Sequence, residues 1–261
     1  MLEAARIADA HLGGLLVQVI DSAPVVMMAR NAGIDFLLFD NEHGDVDDAR
    51  LSSLMMLGNA VGLPSIVRAP QLARADVSRL LDRGATGVMV PMIETIGQAR
   101  QLASWAKYPP LGRRSYSGGA HTGYGPSGGH ALNMKHANAQ TLAIVQIETV
   151  AGVESVEEIL AVDGIDAAII GPCDLAISMG RPDEVGCDEE LRLIDRVSDA
   201  CKAAHKGFGI IGGNELIARY APDINLMVSA LDAHILRAAL SAAASDYDRL
   251  RAQAQGRPHA R

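Results

Sequence analysis

The chain has 261 residues, 49% of them hydrophobic, and a formal net charge of -8. That length supports one large buried core, and the acidic balance with only 3% aromatic residues argues against a nucleic-acid surface. No apolar run reaches the ~20 residues of a membrane span. The N-terminus carries no signal-peptide pattern, and Cys173, Cys187 and Cys201 form no CxxC, so a reducing cytoplasm is the expected setting.

In chain order, strands and helices are expected to alternate. GLLVQVI (14–20) precedes the helix APVVMMARNAG, DFLLFD (35–40) precedes VDDARLSSLMMLGNAV, and PSIVRAP (64–70) precedes ADVSRLLDRG. GVMVPMI (87–93) leads to TIGQARQLASWAKY, and a buried strand at 142–149 leads to a short amphipathic helix at 152–161. A strand at 166–172 precedes EELRLIDRVSDACKAAH, GFGIIGG (207–213) precedes NELIARYA, and LMVSALD (226–232) precedes a final helix at 233–254. Eight strands alternating with eight helices, in a length close to the ~250 residues typical of the fold, predict a single (β/α)8 TIM barrel over residues 1–261. An open doubly wound sheet would need a reversal of strand order that nothing signals. No low-complexity linker marks a second domain.

Barrels of this kind carry their sites at the C-terminal ends of the strands. Polar residues collect there: Asp40, Glu42 and His43 after strand two, Arg68 at the end of strand three, Gln146 and Glu148 at the end of strand five, and Asp174 at the end of strand six. Side-chain alternation puts Ile144, Gln146 and Glu148 on the central face, while Val145 and Ile147 face the helices. A charge in that position is costly unless it is paired or bound to a metal. Glu148 and Asp174 are hard oxygen donors from adjacent strands and suit Mg²⁺ or Mn²⁺. Alone, the two carboxylates would read first as a helix cap and a solvated loop acid; the polar collection around them changes that reading. Arg68 shares a strand face with Ile66 and therefore needs anionic partners in the same pocket.

At DNEHGD (40–45), IVRAP (66–70), LLDRGATGVMVPMIET (80–95), YPPLGRR (108–114), VQIET (145–149) and GPCDLAISMG (171–180), the chain resembles the HpcH/HpaI aldolase family. The resemblance runs from about residue 10 to about residue 240 and implies a class II pyruvate aldolase on a phosphoenolpyruvate/pyruvate-type barrel. It implies Glu148 and Asp174 as ligands of a divalent metal, Mg²⁺ or Mn²⁺ and after them Co²⁺. It makes His43 the base acting through metal-bound water, with Asp40 behind it, and Arg68 the holder of the keto oxygen. Gln146 would line the site, and the segment Gly171, Pro172, Cys173 and Asp174 would offer backbone N–H groups to the substrate carboxylate, as a helix start does for an anion. The implied substrates are a 2-oxo acid, pyruvate or hydroxypyruvate, and an aldehyde, in aromatic or sugar acid catabolism. The implied assembly is a hexamer, a trimer of dimers that exchange C-terminal helices, with Asp82 near a neighbour's active site.

The chain departs from the family pattern at Asp45, where Pro is frequent, and at Cys173, expected to be a small buried residue in a slot usually filled by Ala or Ser. Lys107, Lys135, Lys202 and Lys206 all miss the strand C-terminal ends, which argues against a Schiff-base aldolase. The Gly-rich stretch at 108–141 is expected to form a lid or substrate wall above strand four's end. Arg113 and Arg114 would there be anion contacts or solvated charges, and His121 the only other histidine within reach of substrate. The final helix carries Ile235, Leu236, Ala239, Leu240, Ala243, Tyr247 and Leu250 at three- and four-residue spacing, to cap its own barrel or to be exchanged. Two other classes remain. A malyl or citramalyl thioester lyase would need a cationic surface for coenzyme phosphates that so few lysines do not supply. The other is a non-catalytic barrel that binds an oxo acid.

Overall fold

The computed structural model describes residues 4–125 and 128–255. The strands β1 (Leu12–Val17), β2 (Phe36–Asp40), β3 (Ser65–Arg68), β4 (Gly87–Val90), β5 (Leu142–Ile147), β6 (Ala167–Ile170), β7 (Gly207–Ile211) and β8 (Leu226–Leu231) close into one parallel barrel in sequence order. The helices are α1 (Pro24–Ala32), α2 (Asp48–Val61), α3 (Arg74–Asp82), α4 (Ile96–Ala106), α5 (His130–Gln140), α6 (Val150–Glu154), α7 (Val156–Leu160), α8 (Pro172–Ser178), α9 (Asp188–Ala204), α10 (Asn214–Arg219) and α11 (Asp232–Gln255). The predicted (β/α)8 order is the observed one. The expected helix at 152–161 is two helices that meet at Ser155, and α5 and α8 are additional to the predicted set.

Alternation along each strand divides the core into two layers. Leu16, Phe36, Leu38, Ile66, Met89, Leu142, Ile144, Ala167, Ile169, Leu226 and Val228 fill the barrel. Leu37, Phe39, Val67, Val88, Val145, Ile147 and Ile170 face outward and pack against helix residues such as Leu51, Val77, Leu102 and Ile194. Because Ile144 points inward, Gln146 and Glu148, two and four residues on, point inward as well. The N-terminal 3-10 helix Ala4–Asp9 closes the opposite end, where Ile7 joins the interior cluster and Asn225 donates to the carbonyls of Ala8 (3.0 Å) and Ala10 (2.8 Å).

The 108–141 stretch does not lie above strand four's end. It joins the C-terminal end of α4 to the start of β5, and in a barrel both lie at the N-terminal face, because each helix runs back against its strand. Its ends are tied by Tyr108 N–H to Asn138 Oδ1 (2.7 Å) and Asn138 Nδ2 to the Tyr108 carbonyl (2.9 Å), and α5 packs on the N-terminal 3-10 helix. Arg114 is not a solvated charge, and it does not reach the site of its own barrel: it is buried, donates to Asp82 (2.7 Å) and lies 4.8 Å from the Tyr108 ring centre. Half-buried His121 stands beside the Tyr108 hydroxyl on this same face, so it does not reach the site of its own barrel. Lys107 is buried there too, with Nζ 2.8 Å from Asp166. Asp82 ends α3 at this face, opposite its own chain's His43.

The final helix does not cap its own barrel. Only Asp232 is buried in α11, while Leu236 is 45% and Leu240 61% exposed. Among the described residues, no helix is long and apolar enough to cross a membrane.

Candidate active site

Strand register brings the first pair together: Asp40, the last residue of β2, lies opposite Arg68, the last residue of β3. Arg68 donates from Nε (2.9 Å) and Nη2 (2.6 Å) to the two Asp40 oxygens, and Glu42 Oε2 is 3.3 Å from the same Nε. These are the anionic partners that an inward arginine requires. Asp40 also accepts from Gln18 Nε2 (2.7 Å) and from the N–H groups of Glu42 (3.1 Å) and His43 (3.2 Å). Burial works to raise the Asp40 pKa, but the Arg68 and Gln18 hydrogen bonds outweigh it and hold the carboxyl below the usual range. Asp40 thus orients His43 through the backbone of the turn and not through the ring. The His43 side chain is exposed, and its Nε2 is 3.8 Å from Glu42 Oε2.

Across the mouth, Glu148 follows the last residue of β5 and is only 3% exposed. Its Oε1 accepts from the Met92 N–H (2.9 Å), and its Oε2 accepts from Gln146 Nε2. Burial pushes the Glu148 pKa up to about 7; the Met92 N–H opposes this and the nearby Asp174 charge adds to it. Met92 reaches this position with φ at 55°, a left-handed backbone that L residues rarely adopt. Gly171 is required where it stands, since a Cβ there would lie 2.9 Å from Gln146 Nε2 and closer still to Glu148 Oε2. Asp174 belongs not to strand six but to the first turn of α8, exposed at the mouth. The N–H groups of Cys173 and Asp174 in that turn have no intrahelical acceptor.

A divalent metal fits these residues. Gln146 Oε1 is buried without a partner, Glu148 is a buried acid whose pKa stays raised although the Arg68 charge opposes the rise, and a second carboxylate stands close by. Among the described residues, no group of three or more His, Cys, Asp and Glu forms a closed cage. An ion held by one or two carboxylates with substrate completing the shell, the habit of Mg²⁺, matches that arrangement.

The raised Glu148 pKa has a stability consequence with a definite sign. Its contribution favours the folded protein below the ordinary value of 4.5 and is lost as pH rises to about 7. Metal-free Glu148→Gln should therefore lack part of the decline in melting temperature that the metal-free wild type shows over this interval. Added Mn²⁺ should raise the wild-type melting temperature more at about pH 7.5 than at about pH 5.5, because binding needs the ionised carboxylate. Thermal unfolding followed by fluorescence measures both, and an equal Mn²⁺ shift at the two pH values would remove Glu148 as a ligand.

Residues 19–212 match the family model described as HpcH/HpaI aldolase/citrate lyase. The chain belongs to this family. It is 37% identical over 182 residues to a hydroxypyruvate/pyruvate aldolase of Roseobacter denitrificans, covering 67% of this chain and 69% of that one. Over 193 residues it is 33% identical to a 2-keto-3-deoxy-L-rhamnonate aldolase of Salmonella paratyphi B, covering 74% and 72%. A solved HpcH/HpaI aldolase from Desulfitobacterium hafniense has a TM-score of 0.88 at 25% identity, covering 98% of this chain and 97% of that one. Membership makes the chain a carbon–carbon lyase.

Both departures of this HpcH/HpaI member now have a physical description. Cys173 is exposed, not buried: Pro172, Leu175 and Ala176 form the inner side of α8 and turn Cys173 outward. Asp45 donates its N–H to the Gln18 carbonyl (2.8 Å), a bond that Pro could not make. Two residues of the site escaped the sequence reading. Gln18 had a signal, a polar side chain at the C-terminal end of strand one. Met92 had none, since it acts through its backbone.

Proposed function

We propose that this enzyme is a class II, divalent-metal-dependent aldolase that makes or cleaves 4-hydroxy-2-oxo acids through the enolate of pyruvate or hydroxypyruvate, with an aldehyde as the second substrate. The observation that carries the reading is the juxtaposition of two carboxylates, buried Glu148 and exposed Asp174, with the Asp40-clamped guanidinium of Arg68 at one barrel mouth. Glu148 and Asp174 would hold Mg²⁺ or Mn²⁺, which when bound supplies Lewis-acid polarisation of the substrate carbonyl. The free N–H groups of Cys173 and Asp174 suit the substrate carboxylate. Arg68 is fixed before substrate arrives and stabilises the oxygen on which enolate charge collects, while the exposed His43 takes and returns the proton at the adjacent carbon.

The exposed apolar side of α11 supports exchange of this helix between subunits, in a hexamer built from dimers. Asp82, on the far face of its own barrel and held by Arg114, would then serve a neighbouring subunit's site. A place in sugar acid breakdown, in the cytoplasm, is part of this proposal, and the 2-keto-3-deoxy-L-rhamnonate named for one relative supports the sugar acid.

Exchange of pyruvate methyl protons in D₂O tests the enolate half-reaction without any aldehyde. The wild type with saturating Mn²⁺ should exchange, and His43→Ala should slow exchange more than it weakens pyruvate binding, since a base acts in the transition state. Proton NMR of the methyl signal reports both. Pyruvate binding with no exchange above a metal-only control would favour the thioester-lyase or binding-protein reading instead.

A further inference from the structure

Asp232, the first residue of α11, is a carboxylate only 2% exposed whose oxygens are wholly occupied by backbone. Its Oδ1 accepts from the N–H groups of Gln18 (3.0 Å) and Ala233 (2.7 Å), and its Oδ2 from Val19 (3.0 Å) and Ile20 (2.8 Å). Three of these four donors belong to the segment that leaves β1 at the barrel mouth. The grip therefore fixes the chain around Gln18, which in turn holds the neighbouring turn twice. Its side chain donates to Asp40 Oδ2 (2.7 Å), and its carbonyl accepts the Asp45 N–H (2.8 Å). Gly44 seals the contact, because a Cβ there would overlap the Asp40 carbonyl and lie 3.2 Å from that of Gln18.

We propose that Asp232 and Gln18 are positioning residues for the proposed reaction, setting the Asp40–Arg68 pair and the His43 turn from the first turn of α11. This rests on the reading of Arg68 as the enolate-binding group. Asp40 Oδ2 is shared between Gln18 Nε2 and Arg68 Nη2, so loss of the Gln18 donor frees the carboxylate to rotate and carries the guanidinium with it. Neither Asp232 nor Gln18 need touch substrate. Their effect therefore falls on kcat, through the geometry of the group that meets the developing charge, and little on the KM for pyruvate.

The test uses the full-length, Mn²⁺-saturated enzyme and pyruvate proton exchange, with melting temperature recorded in parallel. Asp232→Asn turns an amide N–H₂ toward backbone donors, and Gln18→Leu removes only the side-chain bridge. Each should lower kcat by roughly 10- to 100-fold, the range expected of a misplacement near 1 Å, with KM changed less than about threefold. The double variant should be no slower than about threefold below the slower single variant, since both act through one pair. If kcat in folded Gln18→Leu stays within twofold of the wild type, the proposal is overturned, and this variant decides alone should Asp232→Asn fail to fold. Multiplying kcat effects in the double variant would likewise overturn it. Arg68→Lys is the control that separates the two failures: if it also keeps its kcat, the site reading has failed, whereas a slow Arg68→Lys beside a fast Gln18→Leu rejects the positioning role alone. A wild type with no exchange overturns both.

Discussion

Glu148→Gln or Asp174→Asn should abolish turnover while leaving the barrel folded. Each substitution removes a charged oxygen donor at nearly constant volume, and the several kcal/mol of transition-state stabilisation that a bound divalent ion contributes correspond to roughly a thousandfold or greater fall in rate. Glu148→Gln should not cost the metal-free protein stability near neutral pH, because burial already disfavours the ionised form of Glu148. A glutamine at 148 can still accept the Met92 N–H and can donate to the buried, unpartnered Gln146 Oε1 once the Gln146 amide turns over. Chelation of the wild type should reproduce the loss, and Mn²⁺ should restore it. Coupled detection of pyruvate from a panel of 4-hydroxy-2-oxo acids measures this; full activity after exhaustive metal removal would sink the class II assignment.

Arg68→Lys should lower kcat by roughly 100-fold or more, the magnitude seen when one preorganised oxyanion donor is removed. Lysine keeps the charge but loses the planar fork, and the fork is what spans both Asp40 oxygens at 2.9 and 2.6 Å while facing the mouth. A compact ammonium would settle against Asp40 and Glu42 and leave no donor aimed at substrate. Steady-state kinetics with saturating Mn²⁺ checks this. A variant with near wild-type kcat would return Arg68 to a structural role, as the partner that neutralises Asp40.

The two tests probe opposite sides of one mouth, and the sides differed in how legible they were. Asp40, Arg68, Gln146 and Glu148 could be found because each interrupts an apolar strand at its C-terminal end, where period-two alternation also fixes the face. Asp174 was found by the same rule, although it stands in a short helix beyond the strand. Gln18 obeys the rule as well and needed only the same question asked of strand one. Met92 could not be found this way, since what it contributes is an N–H aimed by an unusual φ of 55°.

By itself, the sequence determined the alternating strand–helix order, the closed barrel and the end of the barrel where polar groups collect, because local periodicity and chain order specify these. Tertiary structure alone decided which partners those groups take. Asp40 meets Arg68 through the β2–β3 register, and its link to His43 runs through backbone N–H groups. Tertiary structure also decided that the 108–141 stretch, with Arg114 and His121, covers the N-terminal face, that Cys173 turns outward, and that Asp232 grips the end of β1. The Asp40–Arg68 and Asp232–Gln18 hydrogen bonds join residues 28 and 214 positions apart, and nothing local in a sequence records such pairings. The first needs β2 and β3 in register, and the second exists only once the barrel has closed and brought β8 beside β1.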